Sequence, residues 1–339
     1  MRFGLALPHY DFSFPDGRPV TWEGLLAAAL RAESLGFDSV WVSDHFFLDT
    51  ARYGGTDEPA GSVEPFTALA ALAARTQRVR LGTLVASSPF RHPAHVAKMA
   101  TSIDLASGGR FDLGLGAGWY EREFSAFSYA FGTAGDRFAA LEEHVAAIAA
   151  LFGPEPVDFA GSRVRFSGAF NHPRPATLDG PPIWIGGKGG PRLLRLVARH
   201  ATGWNVVWRA TPDWHAARVA ELRRAAEYEG RDPASVRSSV GLYTLVGEDE
   251  KDVAERYERL RAWTPGGALD AVPLEEFAHD TLVGTVDQCL ERLAAFAAGG
   301  VEEMILSVSS LPFAVYDWSA LDLIGERLLP DARLIGADR

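Results

Sequence analysis

Asp44 and His45 stand side by side where an apolar run, Val40-Trp41-Val42, comes to an end, and Phe46 and Phe47 come next. An imidazole titrates near neutrality and moves protons, while a carboxylate accepts hydrogen bonds from a heterocyclic ring. The pair is therefore a candidate site of proton transfer. A histidine that only ties down a strand end gives the same pattern. A second candidate is the stretch IGGKGGPRL, residues 185–193. A glycine-rich turn entering a helix exposes backbone N–H groups where the helix dipole favours an anion. Lys188 and Arg192 add positive charge there, so Gly186, Gly187, Gly189 and Gly190 read either as a phosphate cradle or as a plain flexible loop. The spacing is not that of a Walker motif. GLGAGW, residues 114–119, lets a cofactor or another backbone approach closely, or is simply a tight turn.

Other chemistries lack residues. No HExxH or comparable pairing occurs among the nine histidines. His92 and His95 are three apart but open a helix and have no carboxylate at ligand spacing, so no metal site is expected. GxSxG is absent, and the lone Cys289 falls on the apolar stripe of a helix with Val286, Leu290, Leu293 and Phe296, so there is no candidate nucleophile.

Strand-like and helix-like segments alternate to position these groups. Strands are expected at 2–8, 38–43, 79–87, 110–118, 182–187, 203–208, 238–247 and 302–308. Helices are expected at 21–36, 64–76, 93–109, 136–152, 191–201, 212–229 and 284–300, the last opened by a Thr285/Gln288 capping box, and the C-terminal segment reads as helical. Residues 153–181 and 264–282 are irregular inserts, the first with room for a short hairpin. Eight apolar strands each succeeded by a helix or insert fit a (β/α)8 TIM barrel, one domain over 1–339, with insertions after strands four and seven. A doubly wound sheet would want a glycine-rich turn after the first strand, and ALPHYDF has none. In a barrel the working face collects the residues just past each strand: His9 and Tyr10, Asp44 to Phe46, Thr83 to Ser87, Ala117 to Arg122, Gly186 to Gly190, Asn205 to Trp208. That set is aromatic and glycine-rich with few polar groups, which suits a flat aromatic ligand with a polar tail.

The composition sets outer bounds. A formal net charge of -11 on 339 residues disfavours nucleic acid or an anionic membrane surface as partner. One cysteine excludes a disulfide framework within the chain and suits a reducing cytoplasm. No leader-like segment opens the sequence, and no run of 18 apolar residues occurs.

Four stretches together resemble the luciferase-like monooxygenase superfamily, the bacterial luciferase-type flavin and deazaflavin enzymes: AESLGFDSVWVSDHFF, RVRLGTLVASSPFRHPAHVAKMATSIDLASGGRFDLGLGAGWYEREF, PPIWIGGKGGPRLLRLVARHATGWNVV and TLVGTVDQCLERLAAFAAGGVEEMILSV. GAGWYEREF with the later RFAALEEHVAAI is most similar to the branch of coenzyme F420-dependent oxidoreductases. The resemblance implies a reduced flavin-type ring at the C-terminal face of the barrel, its phosphate at Gly187-Lys188-Gly189-Gly190 near Arg192, and a non-proline cis peptide behind the ring at Leu84-Val85. It implies a cofactor role for Asp44, Ala117, Arg122 and Gly186, and His45 as the acid or base that moves the substrate proton. His9, Phe46, Trp119 and Trp208 would border the substrate, and a homodimer is the expected assembly. Two departures stand out. Flavin-using luciferases place an arginine where this chain has Ala117, and sugar-phosphate dehydrogenases place an acid where it has Trp119. The leading expectation is an F420-dependent hydride transfer on an unidentified organic substrate. The alternatives are an FMNH2-dependent monooxygenase supplied by a separate reductase, and a non-catalytic flavin-binding protein.

Overall fold

A computed structural model describes residues 1–335 of the chain. The apolar runs become eight parallel strands: β1 (Arg2–Ala6), β2 (Ser39–Val42), β3 (Arg80–Thr83), β4 (Phe111–Gly116), β5 (Ile183–Gly186), β6 (Gly203–Trp208), β7 (Arg237–Gly247) and β8 (Glu303–Ser307). They pair in chain order, and β8 pairs with β1, so the sheet is closed. Outside it run α1 (Trp22–Ser34), α2 (Pro65–Ala73), α3 (Pro93–Ser107), α4 (Glu121–Ala126), α5 (Ala134–Phe152), α6 (Pro191–His200), α7 (Pro212–Tyr228), α8 (Glu250–Trp263), α9 (Leu274–Ala278), α10 (Val286–Ala298) and α11 (Trp318–Leu323). This is the (β/α)8 barrel expected from the alternation. The Thr285/Gln288 capping box opens α10, and Cys289 is buried on its inner stripe, where burial pushes the thiol up to about 12. The last four residues of the expected domain, 336–339, lie outside the described residues.

The differences from expectation lie at the C-terminal ends of the strands. The run 79–87 is not one strand. β3 stops at Thr83, the Leu84–Val85 peptide is cis at the position the resemblance implied, and Ala86–Ser87 pairs separately with the end of β4. A second non-proline cis peptide joins Val207 and Trp208. The first insert carries an antiparallel hairpin, Val157–Ala160 with Arg165–Ala169. The second contains a turn at 265–267 and α9, then ends in a strand, Leu282–Thr285, laid beside the distal half of β7. Helices α4 and α8 lie outside the expected set. The first is six residues long, and the second buries only a narrow stripe of Val253, Tyr257 and Leu260 with the stem of Arg256.

Two indoles fill the barrel interior, Trp41 from β2 and Trp184 from β5, each 1% exposed. Glycines make the room. A methyl group at Gly82 would overlap the Trp41 ring, and one at Gly203 would overlap Trp184. The Trp41 Nε1–H donates to Ser39 Oγ at 2.8 Å, and that of Trp184 to Asp112 Oδ1 at 3.2 Å. The buried carboxylates beside them are themselves paired, Glu303 with Arg2 at 2.7 Å and Asp112 with Arg80 at 2.5 Å. Buried charge persists only when so compensated.

His9 is fully buried at the end of β1 and does not reach the substrate side, contrary to expectation. Its Nδ1–H donates to Leu7 O at 2.8 Å, and its Nε2 accepts from the Ser43 hydroxyl at 2.9 Å. Ser43 Oγ in turn takes the Tyr10 phenol proton at 2.5 Å, and Tyr10, itself buried, is the neighbour that lines the cavity. Burial pushes the imidazole down to about 3 from its ordinary 6.5.

This interior has two measurable consequences. Gly82→Ala overpacks the Trp41 site and should lower unfolding stability by about 1 to 3 kcal/mol, read from denaturant midpoints. His9 stays neutral in the fold but takes up a proton when unfolded, so between pH 6.5 and about 3 the unfolded chain binds more protons. Stability is therefore lost as pH falls through that window, by about 2 kcal/mol from this group at pH 5. His9→Asn keeps a donor for Leu7 and removes the titration. The gap between urea midpoints at pH 7.5 and pH 5 should narrow in this variant, and an unchanged gap would clear His9 of responsibility.

Candidate active site

The loops past the strand ends enclose a cavity of about 870 Å3. Of the sixteen residues given a catalytic, cofactor or substrate role from the sequence, ten line it: Asp44, His45, Leu84, Val85, Ala117, Trp119, Gly186, Gly187, Lys188 and Trp208. Each succeeds or ends a strand, so closure of the sheet is what brings them together.

His45 is held by a residue absent from the expected set. Its Nδ1–H donates to Glu123 Oε1 at 2.7 Å, and the other carboxylate oxygen accepts the backbone N–H of Phe46 at 2.9 Å. Glu123 is 1% exposed and comes from α4, the short helix just after Trp119-Tyr120. One carboxylate thus fixes both the ring and its backbone neighbour. Nδ1 is committed, and Nε2, which makes no hydrogen bond among the described residues, is the nitrogen left for the cavity. GWYEREF offers Glu121 and Glu123 as candidates. Only the helix phase, invisible without knowing where α4 starts, decides that Glu123 points inward.

Asp44 is differently engaged from its neighbour. Its Oδ2 accepts the Ser87 N–H at 2.9 Å and an Arg91 N–H at 2.5 Å, and its Oδ1 accepts a second Arg91 N–H at 3.1 Å. Arg91 also pairs with Glu64 at 2.7 Å. A carboxylate buried at a strand end requires such a cation, and SSPFRHP is the segment that supplies it.

The other six of these sixteen do not line the cavity. Arg192 is drawn outward by Glu142 on α5, in a two-pronged pair at 2.9 and 2.5 Å, and lies over Phe138. Arg122 reaches Asp49 at 3.0 Å and the Asp57 carbonyl at 2.6 Å. Gly189 packs on the Trp204 indole and Gly190 is the N-cap of α6, so both support the turn from behind. Phe46 turns away to stack among Phe90, Phe127 and Tyr129. His9 is buried beneath Tyr10.

The walls suit a flat heterocycle with an anionic tail. Leu84 and Val85 form one face. A side chain at Gly116 or Gly186 would strike Val85, so glycine at both makes the room that the Val85 side chain occupies. The Ser87 hydroxyl is buried at the wall without a hydrogen-bond partner. Lys188 makes no ion pair among the described residues and stands at the glycine-rich turn. Among the described residues no group of three or more His, Cys, Asp or Glu is placed to hold a metal ion, and no helix is long and apolar enough to cross a membrane.

Residues 1–303 match the family described as luciferase-like monooxygenase. The chain is 37% identical over 324 residues to the F420-dependent glucose-6-phosphate dehydrogenase of Nakamurella multipartita, covering 91% of each. It is 29% identical over 339 residues to the F420-dependent hydroxymycolic acid dehydrogenase of Mycobacterium tuberculosis, covering 97% of this chain and 88% of that one. A solved F420-dependent secondary alcohol dehydrogenase in complex with an F420-acetone adduct superposes with a TM-score of 0.76 at 21% identity, over 98% of this chain and 99% of the other, a likeness of fold. The closed barrel and a family match over most of the length agree, and the chain belongs to the luciferase-like monooxygenase family.

Proposed function

We propose that the protein is a coenzyme F420-dependent oxidoreductase, a single barrel domain that transfers a hydride between the deazaflavin and an organic substrate. The observation that carries this reading is the His45–Glu123 pair at the wall of a cavity also lined by Leu84, Val85 and a Lys188 that has no ion pair among the described residues. Relatives aligned over most of their length are named as F420-dependent dehydrogenases. When bound, the deazaflavin supplies or accepts the hydride.

The chain's own residues do the rest. His45 Nε2 gives or takes the substrate proton, and Glu123 holds the imidazole in the tautomer and orientation that this requires. Lys188 and the N–H groups around Gly187 hold the phosphate. The Ser87 hydroxyl binds the polar edge of the ring. Asp44 orders the Ser87 backbone through its own hydrogen bond and so shapes that edge. Trp119 and Trp208 border the substrate and exclude water. A homodimer and a cytoplasmic location belong to the same reading; nucleic acid and membrane do not. An FMNH2-dependent monooxygenase, with a separate reductase, is the second reading, favoured by the family's description.

Fluorescence titration with F420 and with FMN, oxidised and reduced, separates the two. Tighter binding of F420 is expected, and preference for reduced FMN would reverse the assignment. His45→Ala should keep cofactor affinity and lower turnover by about 10² to 10⁴, the range of general acid–base catalysis. Glu123→Gln should leave affinity within about twofold and lower kcat by about tenfold or more, since it disturbs an aim and not a contact. Wild-type turnover in both variants would remove the pair from the mechanism.

A further inference from the structure

The cations around the cavity mouth are almost all neutralised. Arg91 pairs with Asp44 and Glu64, Arg122 with Asp49, Arg192 with Glu142, and Arg209 with Asp280. Lys188 and Arg52 are the two near the opening that have no ion pair among the described residues, and both line the cavity. They come from loops three strands apart around the barrel, after β5 and after β2. Lys188 belongs to the phosphate turn of the proposed cofactor. Arg52 is left without a purpose.

Arg52 is not a loose surface side chain. Its guanidinium lies 4.5 Å from the centroid of the Trp119 ring. Its N–H groups make no hydrogen bond among the described residues, which leaves them available to take a carboxylate or phosphate with two parallel bonds. The loop that carries it is closed on itself. Thr50 N–H donates to Thr56 O at 3.1 Å, and Thr56 N–H donates to Thr50 Oγ1 at 3.0 Å. The same loop is pressed against the second insert. Gly54 has a φ of +84°, and a side chain there would strike Ala268, while one at Gly266 would strike Gly54 and Gly55. Tyr53 turns inward from the next position and also lines the cavity, so the loop is anchored from below. The cavity that Arg52 lines has apolar wall residues in Leu48, Ala268, Leu269, Val272 and Trp208, with Tyr243, Thr264 and Ser310 among the polar ones.

We infer that Arg52 is a specificity-determining residue for a substrate with an apolar body and an anionic group, the anion held at the mouth by the free N–H groups of the guanidinium beside Trp119. The chemistry recognised is that of a carboxylate or phosphate oxygen pair. It rests on the reading of this cavity as the site of hydride transfer. The anion could in principle be supplied by the tail of the cofactor, and the test separates the two sources.

Octanoate and octanamide share shape and differ in charge. Their dissociation constants are measured by calorimetry on the full chain, first without cofactor and then after saturation with F420. Wild-type protein should bind octanoate about five- to tenfold more tightly than octanamide. Arg52→Gln should bring the two within twofold and leave the F420 dissociation constant unchanged. Arg52→Lys, which keeps the charge and loses the planar fork, should retain a reduced preference. Equal binding in the wild type, no binding of either, or a preference that survives Arg52→Gln overturns the inference. A weakened F420 constant in Arg52→Gln with the acid–amide preference intact assigns the anion to the cofactor and overturns it too. Failure of F420 to bind wild-type protein while the octanoate preference holds would leave the anion site standing and remove the cofactor reading.

Discussion

The accommodation of Trp41 and Trp184 by glycine is the constraint on which the barrel depends. A closed ring of eight strands leaves an interior that side chains must fill to native density. Here two of the largest side chains do so, and the strands facing them contribute hydrogen atoms where other residues would place a methyl group. The indole N–H groups then need acceptors, buried carboxylates stand beside them, and the carboxylates need arginines at the N-terminal end of the ring. Filling the barrel with aromatic volume thus fixes residue choice on several strands, Gly82 and Gly203 as much as Glu303 and Asp112. It also leaves the opposite end to loops whose residues are chosen for chemistry.

That division explains what is legible in the sequence. The strands can be read because each is a short apolar run buried on both faces and bounded by glycine, proline or charge. Position and the family resemblance together name sixteen site residues, and ten of them meet at one cavity. The failures share a cause. Arg192 and Arg122 have the right charge close by in sequence, yet a long side chain goes to the nearest carboxylate, and Glu142 and Asp49 come from segments remote in sequence. His9 comes just after β1, but its imidazole is tied back to Leu7 O and Tyr10 lines the cavity in its place. Glu123 escapes notice because an acid on a six-residue helix has no periodicity to mark its buried face.

Electrostatics around the opening obey the same economy. The chain is acidic overall, and arginine is used mainly to satisfy carboxylates that the fold has buried or brought close, as Arg91 does for Asp44. Positive charge left unpaired at the rim is scarce. An acidic protein that binds an anionic cofactor must offset its own long-range repulsion locally, and a backbone cradle with one lysine does so within a Debye length.

The two bonds made by Glu123 couple regions that other barrels of this kind could vary separately. Its carboxylate ties the end of β2 to α4, and α4 is continuous with Trp119 and Tyr120 on the rim. The segment that shapes part of the entrance is therefore the segment that orients the imidazole. The stretch 264–272 touches the same cavity through Thr264, Ala268, Leu269 and Val272 but bonds to neither His45 nor Glu123. A change in that insert can therefore reshape the cavity without moving the imidazole, while a change in the β4–α4 connection shifts the entrance and the imidazole together.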